Sequence, residues 1–102
     1  MVLRNTHYLV MIKSFKHKGL ALFFTEGSTK GIIPFHANKL RMQLTALDVA
    51  ASAFDLNKPG YHLHLLKGKR NQTWSIKVSG NWRITFEFRE GNIYMLDYED
   101  YH

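Results

Sequence analysis

Hydrophobic residues recur with two different periods along the chain, helical in the first half and strand-like in the second. Over residues 18–26, Leu20, Phe23 and Phe24 recur at the spacing of one helix face, and Gly27 follows them. Glycine is typical of the position just beyond a helix C-terminus, because it adopts the left-handed conformation without strain. The pattern therefore predicts a first helix over residues 18–26.

A second, longer apolar stripe follows the Gly31 break. Its members are separated by three or four positions, and they are Ile33, Ala37, Leu40, Leu44, Leu47 and Ala51. This spacing is expected of an amphipathic helix that turns one face toward a core. We therefore predict a second helix across this stripe.

Strand-like alternation occurs before the helices and again after Pro59-Gly60. Residues 11–15 alternate and predict a short first strand, whereas the later segments with period two are 63–65, 74–79, 82–89 and 93–98. Gly80-Asn81 and Glu90-Gly91 are typical tight turns between strands. Three sequential strands joined by such turns form an antiparallel meander, and the helices must cover one of its faces. The sequence thus predicts an α+β fold with the order β-α-α-β-β-β.

Length and composition set further bounds. With 102 residues, 45% of them hydrophobic, the chain can bury one core, so we expect a single domain. There is no cysteine, which excludes disulfides and thiolate zinc sites. No apolar run approaches the roughly 20 residues that span a bilayer. At the N-terminus, polar residues interrupt the apolar stretch before it is long enough for a signal peptide, and they include Arg4, Asn5 and Thr6. We therefore expect a cytoplasmic protein.

Charge is unevenly distributed around a net value of +6. Residues 1–86 carry 13 Lys and Arg against three acidic residues, whereas residues 87–102 carry one Arg against five acidic residues. A basic body favours a polyanionic partner such as nucleic acid, because neutralising phosphates releases counterions. Lysines that are simply solvated explain the charge equally well.

Two histidines stand in the segment before a basic loop. His62 and His64 are two positions apart and would share one face of a strand. No third ligand accompanies them at metal-site spacing, so we expect a solvated pair and no metal or cofactor.

Cations follow these histidines. Lys67, Lys69 and Arg70 belong to the next loop, and Lys77 and Arg83 belong to the polar faces of the adjoining strands. If the meander forms, His64, Lys67 and Arg83 converge on one polar surface, where cations would hold a phosphate beside an imidazole. A lysine-rich hairpin that keeps the sheet edge charged and soluble is the open alternative.

The chain ends on Asp100-Tyr101-His102. Histidine titrates near neutral pH, so His102 can protonate a leaving 5′-oxygen, and Tyr101 can stack on a base. Pairing of the last strand with residues 82–89 would bring this terminus near Arg83. A frayed terminus without function is the alternative.

Several strings in the sequence resemble the HigB toxins of bacterial toxin-antitoxin modules, in the RelE/ParE superfamily. The resemblance runs from Met11 to the end, leaving residues 1–10 as an extension outside it and residues 11–102 as one toxin domain. The matching strings are Met11-Ile12-Lys13-Ser14-Phe15-Lys16-His17-Lys18-Gly19-Leu20, Gly27-Ser28-Thr29-Lys30-Gly31-Ile32, His64-Leu65-Leu66-Lys67-Gly68, Val78-Ser79-Gly80-Asn81-Trp82-Arg83 and Asp97-Tyr98-Glu99-Asp100-Tyr101-His102. In the third string, relatives often have a proline where this chain has Leu65-Leu66.

The resemblance implies a RelE-like fold and a ribonuclease that cuts messenger RNA in the ribosomal A site without metal. The residues that it implies as catalytic are His64, Lys67, Arg83, Asp100, Tyr101 and His102. Such cleavage needs a base for the 2′-hydroxyl, a cation on the phosphorane and an acid for the 5′-oxygen. The cations assigned to RNA or ribosome binding are Lys69, Arg70 and Lys77.

The resemblance also implies a protein partner, and two alternative functions stay open. HigB toxins are neutralised by a HigA-type helix-turn-helix antitoxin. The complex binds operator DNA only through this antitoxin. ParE-like relatives share the fold but poison DNA gyrase, so an inhibitor of gyrase is one alternative function. A non-catalytic RNA-binding module, which would need no pair of proton-transferring histidines, is the other.

Overall fold

Two helices and a four-stranded antiparallel sheet make up the fold. The computed structural model describes residues 11–101. Its main elements are α1 (Lys18–Glu26), α2 (Ala37–Asp48), β1 (His64–Leu65), β2 (Trp74–Ser79), β3 (Trp82–Arg89) and β4 (Asn92–Asp100). Short 3-10 helices occur at Pro34–His36, Ala53–Leu56 and Gly68–Arg70. The α+β class is confirmed, while the predicted extension at residues 1–10 and the predicted catalytic His102 lie outside the described residues.

Helix α1 has the bounds that the sequence predicts. At its start the His17 imidazole accepts a hydrogen bond from the Leu20 amide, with Nδ1 2.9 Å from the nitrogen. At its end Gly27 adopts φ 76°, and its amide donates to the carbonyl groups of Leu22 and Phe23. A glycine with this conformation closes the helix because it satisfies carbonyl groups that no longer have a partner within it.

Helix α2 is shorter than the apolar stripe predicts. Leu40, Leu44 and Leu47 are buried as expected, but the helix ends at Asp48 and Ala51 is exposed. The reason lies downstream, where the Asp55 carboxylate accepts hydrogen bonds from the amides of Ala51 and Ser52 at 2.7 and 3.2 Å. These bonds cap the start of the next 3-10 helix and so compete with continued helical pairing.

The sheet follows chain order, β1-β2-β3-β4, with every neighbouring pair antiparallel. The predicted turns at Gly80-Asn81 and Glu90-Gly91 join β2 to β3 and β3 to β4. At the second turn both Glu90 and Gly91 have positive φ, 51° and 81°. Two successive positive φ values match the right-handed twist of the strands in a tight hairpin.

The predicted first strand is only partly present. Residues 11–15 run beside β4 through two isolated parallel bridges, Ile12 with Ile93 and Phe15 with Leu96. Between these bridges Met95 has φ 57°, and the pairing of β3 with β4 shifts register. The resulting bulge interrupts the edge of β4, so a continuous ladder cannot form there. The observed order is therefore a bridge segment, two helices and a four-stranded meander, which has one strand more after the helices than the predicted order, because His64–Leu65 pairs with β2 as a separate short strand.

One face of the sheet packs against both helices. The core joins side chains of α1 and α2 to those of three strands, among them Leu20, Leu40, Leu44, Leu47, Ile76, Ile84, Phe86, Ile93, Leu96 and Tyr98. The opposite face of the sheet is therefore left to carry polar residues. Within residues 11–101, neither helix has the length and apolar character required to span a membrane.

Candidate functional site

The polar face of the sheet carries two rows of side chains. Residues that pair directly on adjacent strands point to the same face. The first row is His64, Ser75, Thr85 and Asp97, and the second row is Lys77, Arg83 and Glu99. We call these seven residues the polar face. With strands about 4.8 Å apart and about 3.3 Å of rise per residue, the Cα atoms of His64 and Arg83 lie roughly 12 Å apart on this face.

The bulge in β4 determines which residues belong to this face. Ile93 belongs to the core, and strict alternation from it would place Asp97 and Glu99 in the core as well. Because the bulge at Met95 adds one residue between the paired positions, Leu96 and Tyr98 become the buried residues instead. Both acidic side chains are thereby turned toward the polar face.

Arg83 lies in the middle of the second row. Its Nε and Nη1 atoms are inaccessible to solvent and have no hydrogen-bond partner within residues 11–101. Its neighbours across the strands are Lys77 and Glu99. Buried donors without an acceptor are costly, and a guanidinium is well shaped to bind a phosphate through two parallel hydrogen bonds. The site therefore offers donors suited to an anion.

His64 occupies the open end of the first row. It is exposed, and its Nδ1 lies 3.0 Å from the carbonyl oxygen of His62. Since a carbonyl can only accept, this contact is a hydrogen bond when Nδ1 carries the proton, which leaves the Nε2 lone pair of the neutral ring free. His62 itself has φ 49°, which turns the chain just before β1. The structure thus separates the two histidines, and only His64 belongs to the sheet.

The basic loop lies beside the first row. Lys67 is exposed and immediately precedes the 3-10 helix Gly68–Arg70. Lys69, Arg70 and Lys16 line a polar cavity of about 210 Å³, together with Thr85 and Asp97 of the polar face. The loop cations and the strand residues thus meet at one surface.

Arg70 makes the main ion pair of this surface. Its Nη2 and Nη1 atoms lie 2.7 and 3.1 Å from the two carboxylate oxygens of Glu99. Thr85 Oγ1 donates to Glu99 Oε2 at 2.6 Å. The hydrogen bonds from Arg70, and then from Thr85, hold the pKa of the Glu99 carboxyl below its ordinary value, although partial burial opposes them. The same pairing raises the pKa of Arg70.

Sequence reasoning missed Glu99 and Thr85. The alternation around Arg83 already placed Thr85 on the polar side of β3, so that signal was available. Glu99 gave no such signal, because its face depends on the bulge in β4.

The C-terminal residues divide between the two faces. The Tyr101 amide donates to the Asn81 carbonyl at 2.8 Å, and the Tyr101 side chain is close enough to Arg70 to contribute to the raised pKa of that guanidinium. Asp100 pairs with Trp82, whose ring packs 4.7 Å from that of Tyr98 on the helix side. The structure therefore associates Tyr101 with the polar face, and it places Asp100 at the sheet end on the side of Trp82.

A larger concavity, about 460 Å³, lies away from these residues. It is mostly apolar and is lined by side chains that include Phe35, Met42 and Val78, and none of the predicted site residues borders it. Within residues 11–101, no three His, Asp or Glu side chains are grouped closely enough to hold a metal ion.

Comparison with known proteins identifies the family. Residues 13–102 match the family described as the RelE-like toxin of the type II toxin-antitoxin system HigB. The chain belongs to this HigB-like toxin family. It is similar to the endoribonuclease HigB of Proteus vulgaris, with 51% identity over 92 residues, which cover 90% of this chain and 100% of that protein. As a toxin of a type II system, a member of this family has an antitoxin as its partner.

Proposed function

We propose that this HigB-like toxin is a ribosome-dependent endoribonuclease that cleaves messenger RNA in the A site without a metal ion and so stops translation and growth. The endoribonuclease name of the Proteus vulgaris relative supports the activity. The observation that carries the proposal is the unpartnered Arg83 guanidinium on the same sheet face as His64. These two residues supply a phosphate-binding cation and a proton-transferring group.

Charge stabilisation falls to Arg83 and Lys67. When the 2′-oxygen attacks phosphorus, negative charge grows on the non-bridging oxygens of the phosphorane. The Nε and Nη1 of Arg83 have no partner among the described residues, so they can donate to those oxygens once the substrate displaces the side chains that cover them. Lys67, exposed at the start of the loop, adds a mobile point charge from the other side.

Proton transfer falls to His64 and His102. The free Nε2 of His64 suits it to accept the proton of the 2′-hydroxyl, while its Nδ1 donates to the His62 carbonyl. His102 then protonates the 5′-oxygen as the phosphorus–oxygen bond breaks, which leaves a 2′,3′-cyclic phosphate. Asp100 orients the imidazole of His102, and Tyr101 stacks on a substrate base.

The surrounding cations bind the substrate strand. Lys69 and Arg70 flank the polar cavity, and Lys77 lies directly across from Arg83. Lys69 and Lys77 attract the phosphates next to the cleaved bond and the ribosomal RNA around the A site, whereas the charge of Arg70 is compensated by its ion pair with Glu99. Such contacts affect affinity and its salt dependence more than the rate of bond cleavage.

The partner and location that we propose follow from the family. The antitoxin is a HigA-type helix-turn-helix protein, and operator DNA is bound only through it. The toxin acts in the bacterial cytoplasm, where translating ribosomes are found. The basic net charge of +6 favours an acidic surface on the antitoxin.

The test is primer extension on a reporter messenger RNA in a purified translation system, with and without ribosomes. The wild type should cut only when ribosomes are present, and His64→Ala or His102→Ala should reduce cutting by about 10²- to 10⁴-fold, as expected for loss of a general acid or base. His62→Asn is the matched control, because it removes a neighbouring imidazole and asparagine tolerates positive φ.

Two results would contradict the proposal. Cutting that survives in both histidine variants would place catalysis elsewhere on the protein. Toxicity in cells without any RNA cleavage would instead favour inhibition of gyrase or simple RNA binding.

A further inference from the structure

Glu99 is the direct neighbour of Arg83, yet the two do not pair. Their Cα atoms are register partners on β4 and β3, so their side chains start from the same face. Cβ atoms in such pairs are typically about 4.5–5.5 Å apart, well within reach for an arginine and a glutamate. The ion pair that the sheet geometry favours is therefore absent between these two described residues.

Every strong contact of the Glu99 carboxylate is directed elsewhere. Its Oε1 accepts from Arg70 Nη1 at 3.1 Å, and its Oε2 accepts from Arg70 Nη2 at 2.7 Å and from Thr85 Oγ1 at 2.6 Å. A fork-to-fork pair of this kind fixes the plane of the carboxylate as well as its position. The Glu99 side chain is only 23% exposed, so it has little freedom to move away.

Arg70 comes from a different part of the chain. It ends the 3-10 helix Gly68–Arg70 in the loop between β1 and β2, and it extends over the sheet to β4. The same loop carries Lys67, so the pair also fixes that loop relative to the strand that leads to Asp100 and Tyr101.

We propose that Arg70 is a positioning residue that holds Glu99 away from Arg83 and so keeps the phosphate-binding guanidinium free. Without Arg70, the Glu99 carboxylate loses its bidentate partner and can turn to its register partner Arg83 on the same face. A paired Arg83 is both neutralised and geometrically blocked, so it binds the phosphorane less well. The catalytic consequence rests on the proposed function, whereas the change of ion pairing does not.

This role differs from that of a simple RNA contact. If Arg70 only bound a phosphate, its removal would cost the same whether or not Glu99 carried a charge. If Arg70 restrains Glu99, removal of the Glu99 charge should compensate for the loss of Arg70. The two roles therefore predict opposite results in a double variant.

The experiment compares Arg70→Met, Glu99→Gln and the double variant by single-turnover cleavage on ribosomes. Arg70→Met should slow cleavage by about 10- to 100-fold, a range expected for coupled neighbours, mainly through the rate at saturation. The double variant should cleave about tenfold faster than Arg70→Met. Arg89→Met is the control, since Arg89 is 58% exposed and its contact with Glu87 is 3.4 Å long.

A second readout does not depend on activity. The Arg83 Nε–H signal in a heteronuclear NMR spectrum should shift in Arg70→Met, as a new pair with Glu99 forms, and should return toward the wild-type position in the double variant. Should Arg70→Met fail to fold, Arg70→Lys keeps the charge without the bidentate fork and should show the same changes to a smaller extent.

The outcomes separate this inference from the proposed function. If the wild type cleaves but the double variant is as slow as Arg70→Met, Arg70 is an RNA contact and the inference is wrong. An Arg83 signal that does not respond to Arg70→Met would also overturn it. If the wild type does not cleave RNA but the Arg83 signal moves as expected, the proposed function fails and the positioning role of Arg70 stands.

Discussion

The two faces of the sheet are built by the same strands but differ in how their buried side chains are satisfied. On the helix face, Ile76, Ile84 and Phe86 are fully buried among other apolar side chains. On the polar face, Ser75 and Thr85 are also buried, yet Ser75 Oγ and two Arg83 nitrogens have no hydrogen-bond partner within residues 11–101. Alternate residues of one strand thus either pack apolar side chains or carry polar groups, some of which have a partner, as Thr85 has in Glu99, and some of which do not.

This difference indicates that the helix face contributes to stability and the polar face to activity. Apolar burial stabilises the fold at roughly 25 cal/mol per Å², whereas a buried donor without an acceptor costs stability. A buried donor without an acceptor needs an explanation, and a ligand that supplies the acceptor is one. We therefore expect substitutions on the helix face to lower the free energy of unfolding and substitutions on the polar face to lower activity.

The largest expected effect is on the helix face. Phe86→Ala should lower the free energy of unfolding by about 3–5 kcal/mol, because it removes a fully buried ring and leaves a cavity. Denaturant titration measures this change. Phe35→Ala is the control, since Phe35 is 85% exposed and its loss should alter stability by less than about 0.5 kcal/mol. Equal effects of the two variants would contradict the position of the core.

The next effect is on the polar face. Arg83→Ala should reduce ribosome-dependent cleavage by about 10²- to 10³-fold, as expected when a donor to the transition state is lost. The same variant should leave the unfolding midpoint unchanged or slightly higher, since it removes two buried nitrogens that have no partner in the described chain. Cleavage assays and denaturant titration of one preparation test both statements. A large loss of stability would make Arg83 a structural residue and remove the contrast between the faces.

The pH dependence of stability should differ between the faces. Burial lowers the pKa of His36 from an ordinary value of 6.5, and its Nδ1 lies 2.7 Å from Tyr98 Oη on the helix side. On the polar face, the bonds from Arg70 lower the pKa of Glu99 from 4.5. Because both pKa values are lower in the folded protein, the unfolded chain binds protons more readily at low pH. The contribution of each group to the free energy of unfolding is therefore full above its ordinary pKa and is lost as the pH falls through the lowered pKa.

Two variants test these windows by urea titration at several pH values. The stability difference between wild type and His36→Asn should start to change below pH 6.5, and that between wild type and Glu99→Gln should shrink only below pH 4.5. We expect about 1 kcal/mol at neutral pH for Glu99, because Arg70 is partly exposed and solvent weakens the pair. A Glu99 difference that is constant down to pH 2 would contradict the pairing with Arg70.

The smallest effect should be at the exposed end of the hairpin. Arg89→Ala removes a long contact with Glu87, in which the arginine side chain is 58% exposed, and a contact of the guanidinium with the Tyr94 ring, whose centroid lies 4.1 Å away. These exposed contacts should together contribute only about 0.5 kcal/mol to the free energy of unfolding. Thermal unfolding at low and high salt measures it. If Arg89→Ala lowers the free energy of unfolding by more than Glu99→Gln does, solvent exposure does not explain the difference between the Arg89–Glu87 and Arg70–Glu99 pairs.

Much of the fold follows from the sequence alone. The spacing of Leu20 and Phe23, followed by Gly27, determined α1 to its last residue, and period two determined β2 and β3 with their turns. These features are local, since each depends on residues a few positions apart. The residue types of the candidate site, such as His64 and Arg83, were also visible in the sequence, as was the resemblance to HigB toxins.

Only the tertiary structure decided the rest, because it depends on pairing between distant segments. The bulge at Met95 sets the face of Glu99, and no local pattern reveals it. The end of α2 depends on competition from Asp55, and residues 11–15 bridge a strand about 80 positions away in sequence, as in the pair Ile12 and Ile93. The pairing of Arg70 with Glu99, and the free guanidinium of Arg83 beside it, exist only once that sheet has formed.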